Sequence, residues 1–259
     1  MDAVKTFAAS DNGERVRLAQ GLPSAISHSD LGLFPGSRPL GKRSRRGRTP
    51  SYHGIHAGHK ALGWALYESL LERDFQTDLC ADPRVKAYAV QSHQLKYWFP
   101  SFSGVQTEHI YTPDVCVLLK DNRTVVFEVK HSRLRLRATW QKREPHIRRA
   151  YAEDHGVPFL VVTEREIRIQ PRLSNYEIML RHRHPMDDAE AEIAVRDALH
   201  RVQNRTHIGE VCDACLLRQN RLSRSYSALI RLALTGEIAL DIDSPLSLAT
   251  AITRKTLDG

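Results

Sequence analysis

Apolar positions recur at helical spacing through Leu62, Leu66, Leu70 and Phe75, with Trp64 and Leu71 beside them. They predict an amphipathic helix over 59–79, on which Glu68 and Glu72 lie one turn apart and point the same way. After Pro83 the pattern shortens, and Val85, Tyr88, Val90, Leu95 and Tyr97 predict one or two strands. "IYTPDVCVLL" (110–119) and "TVVFEVK" (124–130) then read as strands. The turn-rich "KDNR" between them is short enough to make them antiparallel neighbours. "RATWQKREPHIRRAYAEDHG" (137–156) is helical, with Pro145 predicting a break or late start and Gly156 a C-terminus. The continuous apolar run "VPFLVVT" (157–163) predicts a strand buried on both faces, and "NYEIMLRHRH" (175–184) a short helix.

Beyond Pro185 the texture changes. Helices are predicted over 186–202, 207–218 and 223–236, the last capped by Ser223 and stopped by Gly236. "EIALDIDSPLSLATAITR" (237–254) reads as a hairpin. Three helices and a terminal hairpin imply a winged-helix-like unit. Residues 1–50 show no period and are rich in Pro, Gly and Ser. The domain reading is therefore a loop-rich basic arm over 1–55, an α/β domain over 56–170 and the winged-helix-like domain over 171–259.

Charge narrows the partners. The 259 residues carry a formal net charge of +8, which points to a polyanion such as nucleic acid. The arm concentrates Lys42, Arg43, Arg45, Arg46 and Arg48, either a solvated linker or a segment that lies on phosphates. No run of apolar residues is long enough for a membrane span, and no secretory signal is visible, so a cytosolic protein is expected. The four cysteines, Cys80, Cys116, Cys212 and Cys215, form no disulfide framework, which also fits a reducing compartment. Cys212 and Cys215 make a lone C-x-x-C without the second ligand pair that zinc needs. His53, His56 and His59 lack an accompanying carboxylate or thiol at metal-site spacing.

The chemistry concentrates at the ends of the predicted hairpin. Asp114 opens one apolar strand, and Glu128 and Lys130 close the other. Two residues apart on a strand, Glu128 and Lys130 leave the same face, where Asp114 can stand opposite. Carboxylates at a buried sheet edge are costly unless compensated, and a divalent cation compensates them. Mg²⁺ fits, with Mn²⁺ as a substitute, because it binds through one or two carboxylates plus substrate phosphate. The spacing x-P-D…E-x-K is the signature of PD-(D/E)xK nucleases, here preceded by a glutamate-bearing helix and followed by a basic helix and a buried strand. An ordinary hairpin with charged ends is the bland alternative. The stretch after Lys130 adds Arg133, Arg135, Arg137, Lys142 and Arg143. Its alternating Arg133, Arg135 and Arg137 would share one face of a strand-like segment, suited to DNA backbone.

"YESLLERDF…DPRV…VQ…YTPDV…FEVK" resembles TnsA-type endonuclease subunits of heteromeric transposases, chiefly over 60–170. "HIRRAYAEDHGVPFLVVTEREI" matches the helix and strand that follow the active site in that family. The resemblance implies a PD-(D/E)xK domain joined to a winged-helix-like domain. It implies Asp114 and Glu128 as metal ligands, at a position where the family has Gln or Glu in the second case, and Lys130 as catalytic lysine. A Ser-x-x-Glu pattern ahead of a downstream Gln selects Glu72 as the third acid, with Glu68 the alternate and Gln91 in support. It further implies nicking of the non-transferred strand at the 5′ ends of a mobile element. The implied partners are double-stranded DNA at the element ends, a DDE-type recombinase, and an AAA+ ATPase regulator reached through the C-terminal domain. A stand-alone restriction or repair nuclease, and a non-catalytic DNA-binding adaptor, are the competing readings. The third predicted helix of the C-terminal domain, with Arg224 and Arg231 on an otherwise apolar segment, favours protein docking over base reading.

Overall fold

The computed structural model describes residues 28–40, 52–101, 103–183, 188–202 and 205–254; the Lys42–Arg48 basic run lies outside them. Backbone contacts separate two compact units, one ending at Arg168 and the other running from Ile169 onward together with Ala81–Pro83.

The first unit begins with a small ribbon, β1 (Gly54–Ile55) against β2 (Leu66–Tyr67), followed by α1 (Leu70–Ala81). Strand β3 (Val85–Val90) leads into a second ribbon, β4 (Leu95–Pro100) and β5 (Gln106–Tyr111). The main strands β6 (Val115–Leu119) and β7 (Thr124–Val129) follow. A short α2 (Ser132–Arg135) and a long α3 (Ala138–His155) cross to β8 (Phe159–Val162), and α4 (Glu164–Ile167) closes the unit. The main sheet has the order β3-β6-β7-β8, antiparallel except for the parallel β7/β8 pair that α3 connects. Every residue of β6 and β7 is buried, because both sheet faces are covered. On one face Phe75 of α1 lies against Phe127, with ring centroids 5.2 Å apart. On the other, Val126, Cys116 and Leu118 join Ile147 and Tyr151 of α3 and Phe159 in one apolar cluster. By strand alternation, Glu128 belongs to the α3 face.

Three expectations change here. The helix predicted from 59 starts only at Leu70. The backbone ahead of it is engaged elsewhere: Leu62 donates to the Tyr88 carbonyl at 2.8 Å, Tyr88 to Lys60 at 2.9 Å, and His56 to Ala65 at 2.8 Å. A Cβ on Gly63 would collide with the Ser37 carbonyl. These long-range backbone bonds outcompete the local helical period. Pro145 sits inside α3 without ending it. It is exposed, so the carbonyl one turn back can turn to water, and burial of Ile147 and Tyr151, about 1.5–3 kcal/mol each, offsets a proline cost of about 3 kcal/mol. The strand-like run of Arg133, Arg135 and Arg137 is instead the helix α2 and its exit, so these arginines do not share one strand face.

The second unit contains α5 (Arg172–Arg181), α6 (Ala189–Arg201), β9 (Arg205–His207), α7 (Ile208–Ala214), α8 (Arg221–Thr235), β10 (Ile238–Leu240) and β11 (Ala251–Arg254). Its sheet runs β10-β11-β9, all antiparallel, so the predicted hairpin gains a strand the periodicity did not reveal. Asp188 caps α6 through the Ala191 N–H at 3.1 Å. Helix α8 starts two residues before Ser223, after Asn220, and ends on Gly236 at φ 87°, the left-handed conformation that favours glycine. Buried Asn175 of α5 donates to the carbonyls of Ile242 and Ser244 and accepts from Leu246 N–H, tying down the segment between β10 and β11.

Candidate active site

The β6/β7 register pairs Val115 with Phe127, and one step further it sets Asp114 against Glu128. Both carboxylates are almost fully buried, at 3% and 4% exposure. Each is therefore held by donors. Asp114 Oδ2 accepts the Val129 N–H at 2.7 Å. Glu128 Oε2 accepts the Tyr111 hydroxyl at 2.5 Å, and Oε1 lies 2.7 Å from Lys130 Nζ. The Lys130 ammonium also stands 4.2 Å from the centroid of the Trp140 ring, a cation–π distance. Burial, and then the charges of Glu128 and Asp114, push the Tyr111 hydroxyl well above its usual value, so it remains a protonated donor. Asp114, Glu128 and Lys130 thus come together at the ends of two adjoining strands.

Gln91 joins them from the end of β3. Its N–H donates to the Asp114 carbonyl at 2.9 Å, and its side chain donates to Glu68 Oε1 at 3.2 Å. Its φ of 45° is a left-handed conformation that costs a non-glycine residue on the order of 1–3 kcal/mol, and the Leu40 N–H on its carbonyl helps to hold it. Glu72 lies in the first turn of α1, where its carboxylate accepts from Glu68 N–H at 2.8 Å and from Ser69 Oγ at 3.0 Å. The Glu72 N–H returns a bond to Ser69 Oγ at 3.2 Å. The Ser-x-x-Glu pattern is thus a helix cap, and Glu68 is the glutamate in contact with Gln91.

The basic stretch divides by partner. Arg133, Arg137 and Lys142 are exposed. Arg135 lies 3.5 Å from Glu144, which also accepts from Arg148 and from Trp140 Nε1, both at 2.8 Å. Arg143 donates to the Tyr97 hydroxyl at 2.7 Å. Sequence reasoning missed Tyr111 and Trp140. The available signals were a tyrosine three residues ahead of Asp114 and a tryptophan within a basic run.

Among the described residues, no three His, Cys, Asp or Glu side chains form a group that could hold a metal ion by themselves. Cys212 and Cys215 are buried thiols, and burial pushes the latter up to about 11. His56 Nε2 is 3.2 Å from Thr77 Oγ1. The Asp114/Glu128 pair is a different case. Two hard oxygen donors suit Mg²⁺, which completes its shell with waters and substrate phosphate rather than with a closed protein cage.

Residues 82–164 match the family model described as TnsA-like endonuclease N terminal. Comparison with curated proteins returns no match for the chain. The matched span contains Gln91, Tyr111, Asp114, Glu128, Lys130 and Trp140. The chain therefore carries a TnsA-like endonuclease N-terminal domain over residues 82–164.

Proposed function

We propose that this chain is the Mg²⁺-dependent endonuclease subunit of a cut-and-paste transposase, cleaving the non-transferred strand at the 5′ ends of the element. The observation that carries the reading is Asp114 opposite Glu128 with Lys130 2.7 Å from the latter, inside the span that matches the endonuclease family. Asp114 and Glu128 would hold the cation, with Glu68 joining through Gln91 in preference to Glu72. When bound, Mg²⁺ neutralises charge that builds up on the phosphate under attack. Lys130 offers N–H donors to a phosphate oxygen or orients the attacking water. Tyr111 holds Glu128 in place, and the buried strand ends limit where water can enter.

A DDE-type recombinase would act on the 3′ ends, and an AAA+ regulator would dock on the second unit. From α6 on, the order helix, strand, helix, helix, strand, strand, with the sheet order β10-β11-β9, supports a winged-helix reading of that unit. Its α8 arginines support protein docking over DNA reading. Arg224 is bound to Asp188 and Glu190, each at 2.6 Å, and Arg231 to Glu192 at 3.0 Å.

The test maps both strands of element-end DNA after incubation with the recombinase partner and Mg²⁺. Asp114→Ala is expected to abolish 5′ cleavage and leave 3′ joining, and Glu68→Gln to cost more cleavage than Glu72→Gln. Cleavage by Asp114→Ala at the wild-type rate would remove this site from the mechanism.

A further inference from the structure

Beside Lys130 lies a concavity of about 200 Å³ lined by Lys130, Leu134, Arg137, Thr139, Trp140 and Arg143. Three of its six residues are cationic, and none of these described lining residues is acidic. The larger groove nearby, about 920 Å³, is different. Its arginines are matched by Glu144, Glu153 and Glu166, and three of them are already paired, Arg135 and Arg148 to Glu144 and Arg149 to Glu153. In the small pocket the cations are held apart by other means. Lys130 is fixed between Glu128 at 2.7 Å and the Trp140 ring at 4.2 Å. Arg143 is anchored through Nε by the Tyr97 hydroxyl, which leaves the fork of its guanidinium for another acceptor. Trp140 is itself anchored through Nε1 to Glu144. Lys130 is balanced by Glu128, but Arg137 and Arg143 bring two further like charges to one small cavity, and an anion seated between them removes the cost of their repulsion.

We infer that this pocket is a subsite for one backbone phosphate of the DNA strand, next to the phosphate that is cut. The inference rests on the endonuclease reading, because Lys130 belongs both to the reacting centre and to the pocket wall. Arg137 and Arg143 grip the same phosphate, Thr139 supplies a hydroxyl, and Trp140 keeps Lys130 at the mouth.

The experiment measures binding of the whole chain to a random-sequence duplex over a range of NaCl concentrations. The proteins are the wild type, Arg137→Gln, Arg143→Gln and the double variant. Two arginines on one phosphate predict that the double variant, which strips both from it, lowers the slope of log affinity against log salt by about 0.9. Each single variant keeps one arginine on that phosphate and is expected to lower it by less. The affinity losses of the two single variants would likewise not sum to that of the double variant. Arg143→Lys keeps the charge and should keep most of the slope, which separates the phosphate role from a packing defect. A slope lowered by about 1.8 in the double variant would show two independent backbone contacts and overturn the proposal. An unchanged slope in all variants would overturn it as well. Binding is read without cleavage, so failure here is distinct from failure of the endonuclease reading, which the wild-type chain's Mg²⁺-dependent cutting decides.

Discussion

Asp114, Glu128 and Lys130 at the strand ends are each held by a neighbouring group. Tyr111 is the clearest case, with its hydroxyl 2.5 Å from a carboxylate that is 4% exposed. Tyr111→Phe keeps the ring packing and leaves that oxygen short of a donor. A hydrogen bond to a charged group is worth about 1.5–3 kcal/mol, so cleavage is expected to fall by about 10- to 100-fold. The thermal midpoint should drop only modestly; rate and midpoint measured side by side check this, and an unchanged rate would make Tyr111 a packing residue only. The meeting of Asp114, Glu128 and Lys130 at the strand ends was legible in the sequence, because strand alternation is short-range and follows from residue spacing. Glu72 sits differently, in a bond with its own helix cap. Ser-x-x-Glu serves equally as a family marker and as a helix cap, and only the fold shows that Ser69 and Glu72 bond to each other.

Among the elements, α3 does most to organise the site, since it covers one sheet face and contributes Trp140 and Arg143 to its edge. His93 follows β3 and is 6% exposed, with Nε2 2.9 Å from the Tyr151 hydroxyl of α3 and His155 across the ring edge. Burial, reinforced by His155, lowers it from 6.5 to about 4, so it is neutral in the fold. Between those two values the unfolded chain binds more protons than the folded one, and stability rises with pH. Unfolding followed from pH 4 to 7.5 is expected to show a loss of stability as pH falls through this window. His93→Gln should flatten the loss, and an equally steep profile in that variant would place its origin elsewhere. The elements that local patterning missed share one cause. Strand β9 and the late start of α1 both depend on backbone bonds to distant residues, as with Leu62 on Tyr88.

For the whole molecule, charge is the organising quantity. The net charge of +8 belongs to residues 1–168, with the arm and the stretch after Lys130 as its densest parts; from residue 169 on, acidic and basic residues balance, and Arg224 and Arg231 are tied up internally. Replacing Lys42, Arg43, Arg45, Arg46 and Arg48 with Gln is expected to weaken binding to duplex DNA. The salt slope should flatten by about 0.9 for each phosphate the arm no longer neutralises. Filter binding or anisotropy across a NaCl series measures it, and an unchanged slope would return the run to the role of a linker. No described helix is long and apolar enough to cross a membrane, in keeping with the mostly polar helices of both units.

Residue order alone determined the β6/β7 hairpin, the charges at its ends and the basic stretch beyond it, because each depends on neighbours a few residues apart. Tertiary structure decided the rest. It decided which glutamate meets Gln91, that Tyr111 and Trp140 hold Glu128 and Lys130, and which arginines are already paired. Those outcomes depend on groups far apart in the chain, as Tyr97 on Arg143 shows, and no local period encodes such meetings.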